Sequence, residues 1–252
     1  MTEKILEGRR AIVTGASTGM GAAIALRFAG AGADIWAAGG SDAEGLNQTI
    51  EGCASCGVRA GGRGYDFSDA RRAAETVREG AGFLGGLDIL VNCAGGRVFK
   101  PLVEASDEEI EFIYDLNIKS LIYASREAAR IMIPQGSGHI LNMGSVAGLK
   151  PSADRSLYCT TKAAVHSLTK CLAIELGPKG IHVNCLAPGL VNSGSVKKRL
   201  EANPDYFETR KNATPIRRIG DPEEIAATAL FIVSPENDFM SGAVVSIDGG
   251  IT

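Results

Sequence analysis

Short apolar runs alternate with longer stretches of helical spacing along the whole chain, and this alternation constrains the fold more than any other feature. Runs at residues 11–13, 33–38, 88–92, 139–143, 181–186 and 243–247 read as buried strands. A weaker, glycine-blurred run at 60–65 brings the expected total to about seven. Between them, residues 22–31, 107–133, 157–176 and 222–233 carry apolar residues at helical spacing. Strands that return to one sheet through helices do so in parallel, so an α/β architecture is expected. No linker, low-complexity block or internal repeat interrupts the pattern, and residues 1–252 are expected to form a single domain.

The turn after the first strand reads Thr14-Gly15-Ala16-Ser17-Thr18-Gly19-Met20-Gly21 and runs directly into a helical stretch. Glycines permit positive φ and close backbone approach, while a helix start presents unpaired N–H groups and the positive end of its dipole. That combination suits a pyrophosphate. With the strand–helix alternation it predicts a Rossmann-type, doubly wound parallel sheet flanked by helices. The glycine spacing differs from G-x-G-x-x-G, so further motifs have to carry the assignment.

The turn resembles the T-G-x-x-x-G-x-G segment of the short-chain dehydrogenase/reductase family. Further segments resemble that family in order: Asn92-Cys93-Ala94-Gly95, with Cys93 in place of an Asn; Asn117; Ser145; Tyr158-Cys159-Thr160-Thr161-Lys162; Pro188-Gly189-Leu190-Val191-Asn192-Ser193; and Asp248-Gly249-Gly250. The resemblance implies an NAD(P)-dependent oxidoreductase that moves a hydride between the nicotinamide and a carbonyl or secondary alcohol. Asn117, Ser145, Tyr158 and Lys162 are then its catalytic residues. Cofactor contacts are expected from Gly15, Ser17, Thr18, Gly19, Met20 and Gly21 in the first turn, and from Gly40 and Ser41 after the second strand. Further contacts are expected from Asp66 and Phe67 after the third, Asn92, Ala94 and Gly95 after the fourth, and Pro188, Gly189, Val191 and Ser193 after the sixth. Tyr158 and Lys162 complete the set.

The chemistry fits these residue types. A tyrosine titrates near pH ~10, too high for a base at neutral pH, so a neighbouring cation has to stabilise its phenolate. Lys162, four residues on, shares a helix face with Tyr158. Ser145 suits a hydrogen bond to the substrate oxygen, and by resemblance Asn117 holds a water in a proton relay. No G-x-S-x-G elbow surrounds Ser145, which argues against a hydrolase nucleophile, and the three histidines read as structural. A non-catalytic dinucleotide sensor on the same fold is the alternative from another class, and the intact quartet argues against it.

After the second strand, Gly39, Gly40 and Ser41 offer neither a carboxylate to repel a 2′-phosphate nor an arginine to hold one, leaving a slight lean to NADP. Substrate contacts are expected from residues 96–99, 149–156 and a candidate lid at 190–215, which a solvated surface insertion would equally explain. Arg97, Lys150, Arg155, Arg210 and Lys211 in these segments suit an anionic substrate, or are ordinary surface charge. Both 3-oxoacyl thioester reductases and sugar or polyol dehydrogenases share the motifs.

A net charge of -3 without a basic run argues against nucleic acid as a partner. The start of the chain is polar, and no apolar stretch approaches the ~20 residues of a membrane span. Six cysteines without a secretion signal suit reduced thiols and a cytoplasmic location. The Cys53-x-x-Cys56 pair lacks the second pair a structural zinc needs, so no metal is expected. The family resemblance and the apolar faces of 107–133 and 157–176 imply a homo-oligomer, a tetramer.

Overall fold

The computed structural model describes residues 4–194, 196 and 202–252. Seven strands form one parallel sheet: β1 (Arg10–Thr14), β2 (Asp34–Gly39), β3 (Ala60–Gly64), β4 (Ile89–Asn92), β5 (Gly138–Met143), β6 (Ile181–Pro188) and β7 (Val244–Ile247). Their order is β3-β2-β1-β4-β5-β6-β7. The expected architecture is therefore present, including the glycine-rich β3, which ends one residue before Tyr65.

The inner strands are buried on both faces, which is why they read as unbroken apolar runs. Their side chains alternate between two cores. Ala11 and Val13 of β1, with Ile89 and Val91 of β4, face the core shared with Ile24 and Phe28. Ile12 and Leu90 face the opposite core, with Val77 and Ala128. Helices α1 (Gly19–Gly30) and α2 (Ala43–Ala54) cover the first face. Helices α3 (Arg71–Leu84), α4 (Asp107–Tyr114), α5 (Ser120–Gln135) and α6 (Ser156–Leu176) follow, with α3, α5 and α6 closing the second. Two more helices are α7 (Pro204–Ala213) and α8 (Pro222–Val233), and α8 packs on the first face through Ile225 and Ala229.

Three differences from the sequence expectation have physical causes. Helices α2 and α3 carry no long apolar stripe, because much of what α3 buries is alanine and glycine: Ala73, Ala74, Gly80 and Ala81. The helix expected over 107–133 is two helices joined by a π-turn at Asp115–Lys119, and it runs on to Gln135. Third, the candidate lid at 190–215 contains a regular helix, α7; residues 195 and 197–201 of it lie outside the described residues.

A buried polar ladder fixes the ends of β4 and β5. Asn92 and Asn142 are directly paired across the two strands, and the Asn92 amide donates to Asn142 Oδ1 at 2.9 Å and Ser125 Oγ at 3.0 Å. Asn142 in turn donates to Thr169 Oγ1 on α6 at 3.0 Å. Buried amides require such partners. The ladder therefore ties the sheet to α5 and α6 directly below the loops that carry the site.

Candidate active site

In a parallel sheet every strand ends at the same edge, and a crevice opens where the winding direction reverses. Here that reversal lies between β1 and β4, the two strands from which the chain winds outward in opposite directions. The segments singled out in the sequence follow the carboxyl ends of six strands and so meet along one edge. Gly15 follows β1, Gly40 β2, Asp66 β3, Ala94 β4, Ser145 β5 and Gly189 β6.

The glycine turn is shaped by close approach. Gly15 has φ +69°, and a Cβ on it would stand 2.8 Å from the Ala94 nitrogen. A Cβ on Gly21 would overlap the Gly15 carbonyl oxygen, so the first turn of α1 sits against the end of β1. Thr18 occupies the N-cap of α1 without a side-chain capping bond, leaving the helix's first N–H groups for a ligand. Ser17 Oγ accepts from Gly40 N at 3.2 Å and ties this turn to the end of β2. Met20 packs against the core, while Ser193 approaches Gly19 closely enough to bring the loop after β6 onto the turn. A groove of about 660 Å³ runs past Gly15, Gly40, Ser41, Asp66, Ala94 and Gly95. These glycine surfaces and free helix N–H groups fit an extended dinucleotide.

Asp66 holds Ser68 through its main-chain N–H and hydroxyl, at 3.0 and 2.6 Å, and these bonds outweigh slight burial to keep its carboxyl below the usual range. Phe67 borders the groove, with its ring buried in the core beside Tyr65. Asn92, expected at the cofactor, has its amide engaged in the ladder under the site. Val191 is likewise a core side chain, and Pro188 is the last residue of β6.

Thr14 joins the site as a structural staple. Its hydroxyl donates to Val91 O and accepts from Cys93 N and Ala94 N at 3.0 and 3.1 Å, stapling β1 to the loop after β4. The only sequence signal was a threonine directly before the glycine turn. Cys93 sits in that loop, where burial raises its thiol to about 11 despite the charge of Lys162.

Asn117 lies in the π-turn, buried, with its Oδ1 accepting from Gly96 N at 2.8 Å. Its amide nitrogen donates to Gly96 O at 3.1 Å and Thr161 Oγ1 at 3.0 Å. It thus clamps the loop after β4 to α6. Lys162, on α6 and buried, donates to Met143 O at 2.8 Å and stands 5.8 Å from the centre of the Tyr158 ring. Ser145 caps the 3-10 turn after β5, its Oγ accepting from Ala147 N at 3.2 Å. Behind it, His166 Nε2 accepts from Ser145 N at 3.4 Å. Burial, followed by the charges of Lys162 and Lys170, lowers His166 to about 4, so it stays a neutral acceptor.

Tyr158 stands between these groups. Burial raises its pKa, but the Lys162 charge, a hydrogen bond with Ser145 and the charge and hydrogen bond of Arg97 outweigh it, so the phenol titrates below its ordinary value. Its ring meets Phe99 edge-on at 5.4 Å. A cavity of about 540 Å³ opens above it, floored by Ser145 and Tyr158 and walled by Phe99, Val146, Leu190 and Val196.

Known proteins resemble the chain over nearly its whole length. A family profile described as enoyl-(acyl carrier protein) reductase matches residues 15–252. The galactitol 2-dehydrogenase (L-tagatose-forming) of Cereibacter sphaeroides is 36% identical over 250 residues, covering 98% of this chain and 96% of that protein. A short chain dehydrogenase from Burkholderia cenocepacia, solved in complex with NADP, superposes with a TM-score of 0.90 at 35% identity, covering 98% of each chain. A 7 alpha-hydroxysteroid dehydrogenase complexed with NADH and 7-oxo glycochenodeoxycholic acid superposes at 0.92 with 32% identity, covering 99% of this chain and 98% of that one. With the fold, the glycine cradle and these relatives together, the chain belongs to the short-chain dehydrogenase/reductase family and is an NAD(P)-dependent oxidoreductase acting between alcohols and carbonyls.

Proposed function

We propose that Tyr158 is the proton donor and acceptor of this oxidoreductase, with Ser145, Lys162 and Asn117 as its partners. The observation that carries this reading is that Ser145 and Tyr158 line one cavity with Lys162 Nζ 5.8 Å from the Tyr158 ring centre, and the Lys162 charge draws the phenol below its ordinary value. The nicotinamide, when bound, supplies or takes up the hydride. Tyr158 Oη gives its proton to the carbonyl oxygen in reduction and takes it from the alcohol in oxidation. Ser145 Oγ donates to the same substrate oxygen and fixes it against Tyr158. Lys162 stabilises the phenolate by charge and would hold a ribose hydroxyl of the bound cofactor. The side-chain N–H donors of Asn117 are engaged by Gly96 O and Thr161 Oγ1, so its part in a proton relay is to fix the loop after β4 against the helix that carries Tyr158 and Lys162.

Lys162→Met tests the assignment. In the oxidation direction the rate should rise with pH as the phenol ionises and then level off. Without the lysine charge that limb should move up towards pH ~10, and dinucleotide affinity should fall with it. An unmoved limb contradicts the role given to Lys162.

In this reading the cofactor lies along the glycine groove, and NADP is preferred to NAD. No carboxylate stands on the strand end at Gly39-Gly40-Ser41, and Asp42, just beyond, uses its side chain to cap α2 by accepting from Gly45 N at 2.9 Å. Ser41→Asp should then reduce kcat/KM for NADP relative to NAD by about tenfold or more, through repulsion of the 2′-phosphate. An unchanged ratio of the two rates counts against Ser41 as a 2′-phosphate neighbour.

The whole chain acts as one catalytic domain, with 190–215 as its substrate-contacting segment; Leu190, Val196, Tyr206 and Arg210 of that segment line the cavity. All six cysteines are free thiols, in keeping with a cytoplasmic enzyme, and no helix among the described residues is long and apolar enough to cross a membrane. Phe112, Ile122 and Ile174 leave exposed apolar surface on α4, α5 and α6, which supports a homotetramer packed through these helices. Light scattering should give a multiple of the 26.2 kDa chain mass. A monomer at micromolar concentration removes the oligomer from this reading.

A further inference from the structure

The cavity above Tyr158 draws its charge from three separate stretches of chain. Arg97 comes from the loop after β4, Lys150 and Arg155 from the loop before α6, and Arg210 from α7. Among the described residues no aspartate or glutamate lines it. Arginines elsewhere are commonly neutralised: Arg10 meets Asp88 at 2.7 Å, Arg63 meets Glu79 at 2.9 Å, and Arg218 meets Glu224 at 2.5 Å. Lys211, beside Arg210 on α7, pairs with Glu208 at 3.2 Å and does not belong to the cavity set. Arg97, Arg155 and Arg210 have no such carboxylate among the described residues.

Each cation is held in its own way. Lys150 donates to the Ile251 carbonyl at 2.8 Å and ties the C-terminal segment to the cavity wall. Arg155 lies over the Phe99 ring at 4.8 Å, on the residue that packs edge-on against Tyr158. Arg97 lines the same cavity as Tyr158 and its charge helps draw the phenol below its ordinary value, so an anion on its guanidinium shares the cavity with the oxygen that exchanges the proton. Arg210 Nε is buried with no hydrogen-bond partner among the described residues. Buried donors are seldom left unpaired, and a guanidinium takes up a planar oxyanion through two parallel bonds.

We propose that the substrate is a hydroxy acid or its oxo counterpart, with a carboxylate or sulfonate close to the reacting carbon held by Arg97 and Arg210, and Arg155 at the rim. The uncharged remainder of the molecule lies against Val146, Leu190 and Ile251. This rests on the oxidoreductase reading of Tyr158. In oxidation the carbinol C–H bond breaks with its hydrogen leaving as hydride to bound NAD(P)+. The hydroxyl proton passes to Tyr158, a C=O bond forms, and the anionic group is unchanged.

The experiment compares kcat/KM of the cofactor-saturated enzyme for 2- and 3-hydroxybutyrate, their methyl esters, 1,3-butanediol and 2-hydroxypropane-1-sulfonate. An anion should exceed its neutral counterpart by about tenfold to a hundredfold, the worth of a charge-assisted contact. The sulfonate arm separates the two anion types. Arg210→Gln and Arg155→Gln should each shrink the acid-to-ester ratio, through a raised KM for the acid. An ester or diol used as well as the acid, or a ratio untouched in both variants, overturns the proposal.

Malonate titrated into the NADP+-loaded enzyme by calorimetry reads the anchor without turnover. Saturable binding that weakens in Arg210→Gln is expected, and no saturable binding up to about 10 mM overturns the proposal. If malonate binds in this way while acids, esters and diols all fail to react, the anion anchor stands and the role given to Tyr158 is what fails.

Discussion

Tyr158→Phe should lower turnover by about a thousandfold while dinucleotide affinity stays within about threefold of the unsubstituted enzyme. The substitution removes one oxygen and keeps the ring, so the edge-on packing with Phe99 at 5.4 Å survives. What disappears is the hydroxyl proposed to exchange a proton with the substrate oxygen beside Ser145. Lys162 keeps its bond to Met143 O at 2.8 Å, so the cofactor side of the site is undisturbed. Steady-state rates in both directions, with dinucleotide binding by calorimetry, check both halves. Near-normal turnover in Tyr158→Phe removes Tyr158 from the mechanism, and a collapse of cofactor affinity makes the residue a structural one.

The second large effect is expected from a single methyl group. In Gly21→Ala the added Cβ overlaps the carbonyl oxygen of Gly15, a backbone atom that cannot rotate out of the way. The start of α1 has to lift from the end of β1, displacing the free N–H groups of the first turn. Overpacking of this kind costs about 1–3 kcal/mol of stability. Dinucleotide affinity should fall at least about tenfold, because the phosphate cradle is the displaced part. Calorimetric titration and a denaturant midpoint report the two losses separately. An alanine variant that binds the dinucleotide as tightly as before shows that the turn tolerates the shift and the cradle lies elsewhere.

Both expectations depend on one structural circumstance, the convergence of six strand ends. The turn after β1 touches the loop after β4 through Thr14 and the loop after β6 through Ser193. The Asn92–Asn142–Thr169 ladder holds β4, β5 and α6 in fixed relation beneath Ser145 and Lys162. Asn117 then closes the set by binding both Gly96 and Thr161. These contacts are buried and mutually dependent, so the geometry around Tyr158 is a property of the whole sheet edge.

Much of this was legible in the sequence, for reasons that differ from element to element. Central strands such as β1 and β4 announce themselves as unbroken apolar runs because both of their faces are covered. Helix α8 was legible to its ends, since Pro222 opens it and its apolar spacing is regular. Helix α3 was not, because alanine and glycine can form a buried face without the bulky residues that reveal one. The π-turn at Asp115–Lys119 left no local signal either, since one extra residue in a helical turn hardly alters the apolar spacing.

The division extends to the site. Local rules determined by themselves the strand–turn–helix at Gly15, the parallel alternation of the fold and the four-residue spacing that sets Lys162 beside Tyr158, because each depends on neighbours within one or two turns. The tertiary structure alone decided that Asn92 faces the ladder beneath the site, that His166 supports Ser145 from behind, and that Lys211 turns to Glu208 while Arg97, Arg155 and Arg210 face one cavity. Those outcomes depend on how the crossover helices bring distant strand ends together, and contacts of that range have no period along the chain.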